Sequence, residues 1–171
     1  MVSPDSPQPF SLAVDVDRLG RPVGFLNARI DLKVSGQDTG GGMCVMDTIR
    51  TGHGGPPLHI HHAQDEWFFV QEGTFRFQVG EASYELGPGG SVFGLRGLPH
   101  AFVNLTETGR LMIVFQPAGT MEAFFAGGSP HPLSEEFREL SRQHGMEVVG
   151  PPLKACSDKA ENRDGHSTMG G

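Results

Sequence analysis

The chain has 171 residues, enough for one domain with a real core, and carries 25 glycines, 13 prolines and a formal net charge of −7. That acidic balance argues against nucleic acid and anionic membrane as partners, and no apolar run reaches the length that spans a bilayer. Cys44 and Cys156 make no disulfide framework, and Met1 to Pro9 lacks the pattern of a signal peptide, so a soluble cytoplasmic protein is expected.

Residues 1–9 are polar and proline-rich and are expected to form a flexible N-terminal segment. A β-barrel domain is expected over residues 10–126. Leu26, Ala28, Ile30, Leu32 and Val34 alternate with polar residues, which predicts a half-buried strand. A glycine-rich turn over 37–42 leads to a second strand, 43–51. Pro56 and Pro57 exclude helix and favour an extended entry to the next strand.

That strand carries the chemistry. His59 and His61 lie two apart, so in extended backbone both side chains point to one spot. Glu66 opens the run Trp67-Phe68-Phe69-Val70, where an unpaired carboxylate would be costly. A divalent cation shared with the imidazoles removes that cost, and His100 is the best candidate for a further ligand. His62 and Asp65 have the opposite parity and should face away, and His53 reads as a loop histidine.

Farther on, Trp67–Gln71 and Thr74–Val79 read as the arms of a hairpin turning at Glu72-Gly73. Short strands follow at 82–86, 91–95, 99–104 and 110–116, the last apolar on both faces. Many short strands at close spacing predict an all-β sandwich or barrel. Phe68, Phe75, Phe77, Phe102, Met112 and Val114 are candidates for the wall of a substrate pocket. Thr120 could cap a helix over 120–125. Ser134, two following glutamates and Gly145 predict a helix that packs Phe137 and Leu140 on the outside of the barrel. Residues 127–153 are thus expected to be a helical appendage, and 154–171 a disordered tail. His131, His144 and His166, in these last regions, need no functional reading.

Two stretches resemble a known family. Gly55-Pro-Pro-Leu-His59-Ile-His61, followed by Glu66 and Gly73, looks like the first motif of the cupins; Gly89, Gly97, His100 and Asn104 are similar to the second. The resemblance covers roughly residues 24–126, with Leu95 standing where proline is usual and Gly90 where aspartate is common. Both departures bear on the stiffness of the loop before His100. Asp38 to Gly119 most resembles the single-domain proteins called quercetin 2,3-dioxygenase-like. The resemblance implies a cupin double-stranded β-helix, a jelly-roll barrel with the metal inside and a short C-terminal helical appendage, and a homodimer.

Three imidazoles and a carboxylate suit one divalent transition metal per chain: iron, manganese, nickel, cobalt, copper or zinc. Coordination positions left open favour catalysis or ligand capture over a structural role. The leading expectation is an oxygenase: by resemblance, a dioxygenase of flavonol-like or other enolisable aromatic or ketone substrates, with dioxygen as second substrate. In it Glu66 is both metal ligand and catalytic base. The alternatives are an isomerase or cyclase forming the same enolate, and a non-catalytic metal or small-ligand binder.

Overall fold

A computed structural model describes residues 8–155; expectations for residues 1–7 and 156–171, including most of the N-terminal segment and tail, lie outside the described residues. The strands are β1 (Val23–Phe25), β2 (Ala28–Val34), β3 (Cys44–Thr51), β4 (Pro57–His61), β5 (Asp65–Glu72), β6 (Phe75–Val79), β7 (Ala82–Leu86), β8 (Ser91–Gly94), β9 (His100–Asn104), β10 (Thr108–Gln116) and β11 (Met146–Pro152). Two helices, α1 (Met121–Ala126) and α2 (Glu135–Gln143), lie between β10 and β11. The strands form two sheets, ordered β1-β2-β3-β10-β5-β8 and β11-β4-β9-β6-β7, and every pairing is antiparallel. This is the expected all-β architecture, two antiparallel sheets with short helices near the C-terminus.

Strand parity builds the core. Along β10, Leu111, Ile113 and Phe115 are buried, while Met112 and Val114 are half-buried on the other face. Phe68, Phe75, Phe77 and Phe102 meet between the sheets at ring-centroid distances of 5.4–6.1 Å. Ser134 caps α2 by accepting a hydrogen bond from the Phe137 N–H at 3.1 Å, with Glu135 and Glu136 in the first turn and Arg142 in the last.

Four expectations need correction. The first strand does not begin at Leu26: Phe25 pairs with Ala28, so Leu26 and Asn27 are a two-residue hairpin turn, with Leu26 at a positive φ of 53°. β5 and β6 are not a hairpin, because β5 pairs with β10 and β8 in one sheet while β6 pairs with β7 and β9 in the other. The turn at Gly73 (φ 79°) carries the chain between sheets, and local alternation cannot distinguish that from a hairpin. Thr120 makes no side-chain cap; its hydroxyl lies 2.9 Å from His144 Nδ1. Finally, 127–153 is not wholly helical, since β11 returns to the barrel and pairs with β4, placing Val148 opposite His59. Gly150, Pro151 and Pro152 mask that strand in the sequence.

Candidate metal centre

Pro56 and Pro57 deliver an extended chain into β4, and alternation turns His59 and His61 inward. Across the sheet His59 pairs with His100, the first residue of β9. Glu66 enters from the other sheet, second in β5 and opposite Gly94, whose missing side chain leaves room beside the His100 ring. His61, Glu66 and His100 are 1%, 4% and 1% exposed. One ligand atom from each of His59, His61, Glu66 and His100 lies within 4.8 Å of all the others.

Glu66 Oε2 stands 2.9 Å from His100 Nε2, 3.3 Å from His61 Nε2 and 3.9 Å from His59 Nε2. The other nitrogens of two rings are committed: His59 Nδ1 lies 2.8 Å from the Pro57 carbonyl and His100 Nδ1 3.0 Å from the Leu98 carbonyl. A carbonyl only accepts, so both Nδ1 atoms carry the proton and both Nε2 atoms turn lone pairs inward when neutral. Lone pairs and a carboxylate oxygen converging on one point repel unless a proton or a metal cation lies between them. Two ligands of an ion with bonds of ~2.1 Å stand roughly 3.0–3.4 Å apart at right or tetrahedral angles, which the closer separations match. The residues therefore fit a divalent transition ion, and the identity of that ion is open among the borderline metals. His61 is less well held: its Nδ1 is buried without a partner, so it lacks the backbone hydrogen bond that orients the other two rings.

The electrostatics agree. Burial opposes the charge on Glu66, yet hydrogen bonds from His100, His59 and His61 outweigh it and hold its carboxyl well below the usual range. Burial also opposes the charge on His100, but Glu66 overrides it and raises that imidazole. His59 moves the other way, lowered by burial despite Glu66.

Above these donors lies a narrow cavity of about 50 Å³, partly open to solvent. Its walls include Ile30, Phe102, Ile113 and Phe115, and α1 and α2 cover it with Met121, Phe124 and Phe137. Phe25, Phe124 and Phe137 pack together at ring-centroid distances of 5.1–6.2 Å. Of the expected wall residues only Phe102 lines this cavity. Phe68, Phe75 and Phe77 are sealed in the core beneath it, and Met112 and Val114 point out of the barrel because Ile113 and Phe115 take the inward parity. The helix α2 packs through Phe137 and Leu140 as expected, and Phe137 and Ser141 also face the cavity.

The remaining candidates lie apart from the cluster. His62 is exposed, 3.5 Å from Glu147. Asp65 pairs with Arg96, and His53 Nδ1 contacts the Asn104 carbonyl at 3.3 Å. Sequence reasoning missed Arg50, which is 4% exposed and lines the cavity. Its signal was present: Arg50 shares the parity of Met46 and Thr48 in β3, both inward.

Comparison with known proteins agrees with the fold. The cupin domain model matches residues 45–115. An uncharacterized protein of Streptomyces coelicolor is 36% identical over 56 residues, 33% of this chain; the match spans 53% of that relative's length. Among solved structures, an RmlC-like cupin from Shewanella frigidimarina superposes with a TM-score of 0.53 at 18% identity, covering 65% of this chain and 92% of the other. The polyketide cyclase RemF from Streptomyces resistomycificus gives 0.51 at 23% identity, covering 64% and 79%. A predicted oxalate decarboxylase from Thermotoga maritima gives 0.50 at 14%, covering 53% and 80%. Residues 45–115 are thus similar to a cupin domain, and the solved structures share the barrel fold.

Proposed function

We propose that this protein is a metal-dependent cupin oxygenase acting on an enolisable aromatic or ketone substrate, with dioxygen as oxidant. The observation that carries the reading is the convergence of His59, His61, Glu66 and His100 on one point of an aromatic-walled cavity. A divalent ion held there supplies positive charge that stabilises negative charge developing on a substrate oxygen. The chain's own residues do the rest. Phe102, Phe115 and Phe124 present apolar surface to a flat substrate and exclude water from it. Glu66 Oε2 faces the imidazoles, which leaves Oε1 as the atom that takes the substrate proton. The low proton affinity of Glu66 in the metal-free site keeps it ionised, as a metal ligand must be.

The test compares wild type with Glu66→Gln at matched, measured metal content, following oxygen consumption with flavonols and β-diketones. Loss of a general base costs about 10²–10⁴ in rate, so the reloaded variant should bind substrate yet turn over far more slowly. Undiminished turnover would remove the base role. If loaded wild type consumes no oxygen with any of these substrates, the oxygenase reading falls. Proton exchange in D₂O without oxygen uptake would then replace it with an isomerase or cyclase, and no exchange would leave a binding protein.

A further inference from the structure

Arg50 is a buried cation in the cavity wall, and no carboxylate among the described residues forms an ion pair with it. Its Nη1 donates to Asn27 Oδ1 at 2.9 Å, and its guanidinium carbon lies 4.5 Å from the centroid of the Phe102 ring. Nε is buried and has no hydrogen-bond partner. No carboxylate among the described residues pairs with it, whereas Arg18, Arg29, Arg76, Arg96, Arg110 and Arg142 each hold one. Burial pushes the guanidinium down to about 10, with Glu66 pulling the other way, so it stays charged at neutral pH.

Bracing Asn27 explains only part of this arrangement. The Asn27 amide donates to the carbonyls of Thr51 and Gly52 at 3.3 Å, and Arg50 holds its oxygen. A neutral donor would hold that oxygen equally well, while an unpaired buried charge carries a large desolvation cost. Stacking on Phe102 offsets some of the cost and leaves the Nε–H unused.

We propose that Arg50 is the anion-binding group of the cavity, so that the substrate is an aromatic or otherwise apolar carboxylic acid whose carboxylate pairs with the guanidinium. Phe102 lies two residues beyond His100 in β9, about 7 Å along the strand and on the same face. An acid seated on Arg50 therefore reaches the four ligand donors with its other end. A cationic metal site and a cationic wall residue in one apolar cavity both favour an anion, although the protein as a whole is acidic. The inference deepens the proposed function and rests on it only for the reacting end of the substrate.

Calorimetric titration of 3-phenylpropionate and of 3-phenylpropanamide tests it, using metal-loaded protein and protein stripped by a chelator. In both forms the acid should bind at least about tenfold more tightly than the amide, the scale of a hydrogen bond to a charged group. Arg50→Met should abolish that preference, and Arg50→Lys should keep part of it, with metal content unchanged. Equal affinity for acid and amide in stripped wild type overturns the proposal, even if the loaded form prefers the acid, because the ion would then be the anion's partner. An undiminished preference in folded Arg50→Met overturns it too. Should Arg50→Met not fold, the stripped wild-type comparison and Arg50→Lys decide. Elemental analysis is read separately, so a protein that binds no metal yet prefers the acid sinks the metal centre and leaves the anion site standing.

Discussion

Arg96 clasps Asp65, the residue before Glu66: its backbone N–H and Nε reach Oδ1 at 2.9 and 3.0 Å, and Nη2 reaches Oδ2 at 2.7 Å. The clasp ties the loop before His100 to the start of β5, where Glu66 sits. The Gly97 N–H adds a bond to the His61 carbonyl at 2.8 Å, and Gly97 itself has a φ of 79°. Thus the loop that lacks proline at Leu95 is pinned by charge and backbone bonds instead. Arg96→Ala should lower metal affinity roughly 10–100-fold, as losing the supports of ligands does. Competition with a chromophoric chelator measures it, and wild-type affinity in the variant would show that the loop holds itself.

The same clasp predicts an acid limit. Hydrogen bonds from the Arg96 side chain, then its backbone N–H, hold the Asp65 carboxyl down to about 2 against an ordinary 3.8. A depressed carboxyl contributes its full stability above the ordinary value and loses it as pH falls through the folded value. Asp65→Asn should therefore flatten the pH dependence of unfolding between about pH 4 and pH 2, leaving the shape above pH 5 unchanged. Equilibrium denaturation across that range checks it, and parallel curves for the two proteins would contradict the assignment.

Metal content gives a third prediction. His59→Ala, His61→Ala and His100→Ala should each strip most of about one ion per chain, whereas His62→Ala should not, because His62 is exposed on the opposite face. Acidification should release the ion, since protons compete for the imidazoles. Elemental analysis of folded variants decides, and a ligand variant retaining wild-type content would break the single-site assignment.

Much of this centre was legible in the sequence, because a two-residue spacing in extended backbone fixes a shared face without knowledge of the fold. That is why His59 and His61 were placed together and His62 apart. Long-range partners were harder to see. Alternation in β10 marks two faces but not which one turns inward, and it is Ile113 and Phe115, not the expected Met112 and Val114, that line the cavity. The aromatic cover was hidden for the same reason. Phe124 and Phe137 sit on short amphipathic helices that could dock anywhere apolar, and β11 closes behind them through Gly150, Pro151 and Pro152, which read as loop. Arg50 is hard to see in the sequence because a charged residue in a half-buried strand ordinarily faces water.

Gly55 carries a sharper sequence requirement than the other turn glycines. A Cβ there would stand 1.8 Å from the Phe102 carbonyl oxygen, which is backbone and cannot swing away. Gly55→Ala should cost about 3 kcal/mol through the forced shift of β9, while Gly24→Ala, with open space around it, should change stability by no more than about 0.5 kcal/mol. Thermal or urea denaturation distinguishes them. Equal effects would mean that the approach of β9 to the Gly55 segment is looser than described.

The cover over the cavity makes the last prediction. Phe137 is 3% exposed, packs on Phe25 and Phe124, and shares the cavity with His59 and Glu66. Removing its ring leaves a void at the mouth and costs about 3–5 kcal/mol. For a domain of this size that lowers Tm by about 6–20 °C. If α2 closes the cavity, Phe137→Ala should also speed loss of metal to a chelator and exchange of any bound ligand, beyond what lower stability brings. Leu140→Ala supplies the control, because Leu140 is half-buried on the same helix and does not line the cavity. Stopped-flow chelation at a temperature where both variants are fully folded separates the effects. Faster exchange in Phe137→Ala and not in Leu140→Ala assigns the gate to the ring, whereas equal rates in wild type and Phe137→Ala would mean that ligands enter by another route.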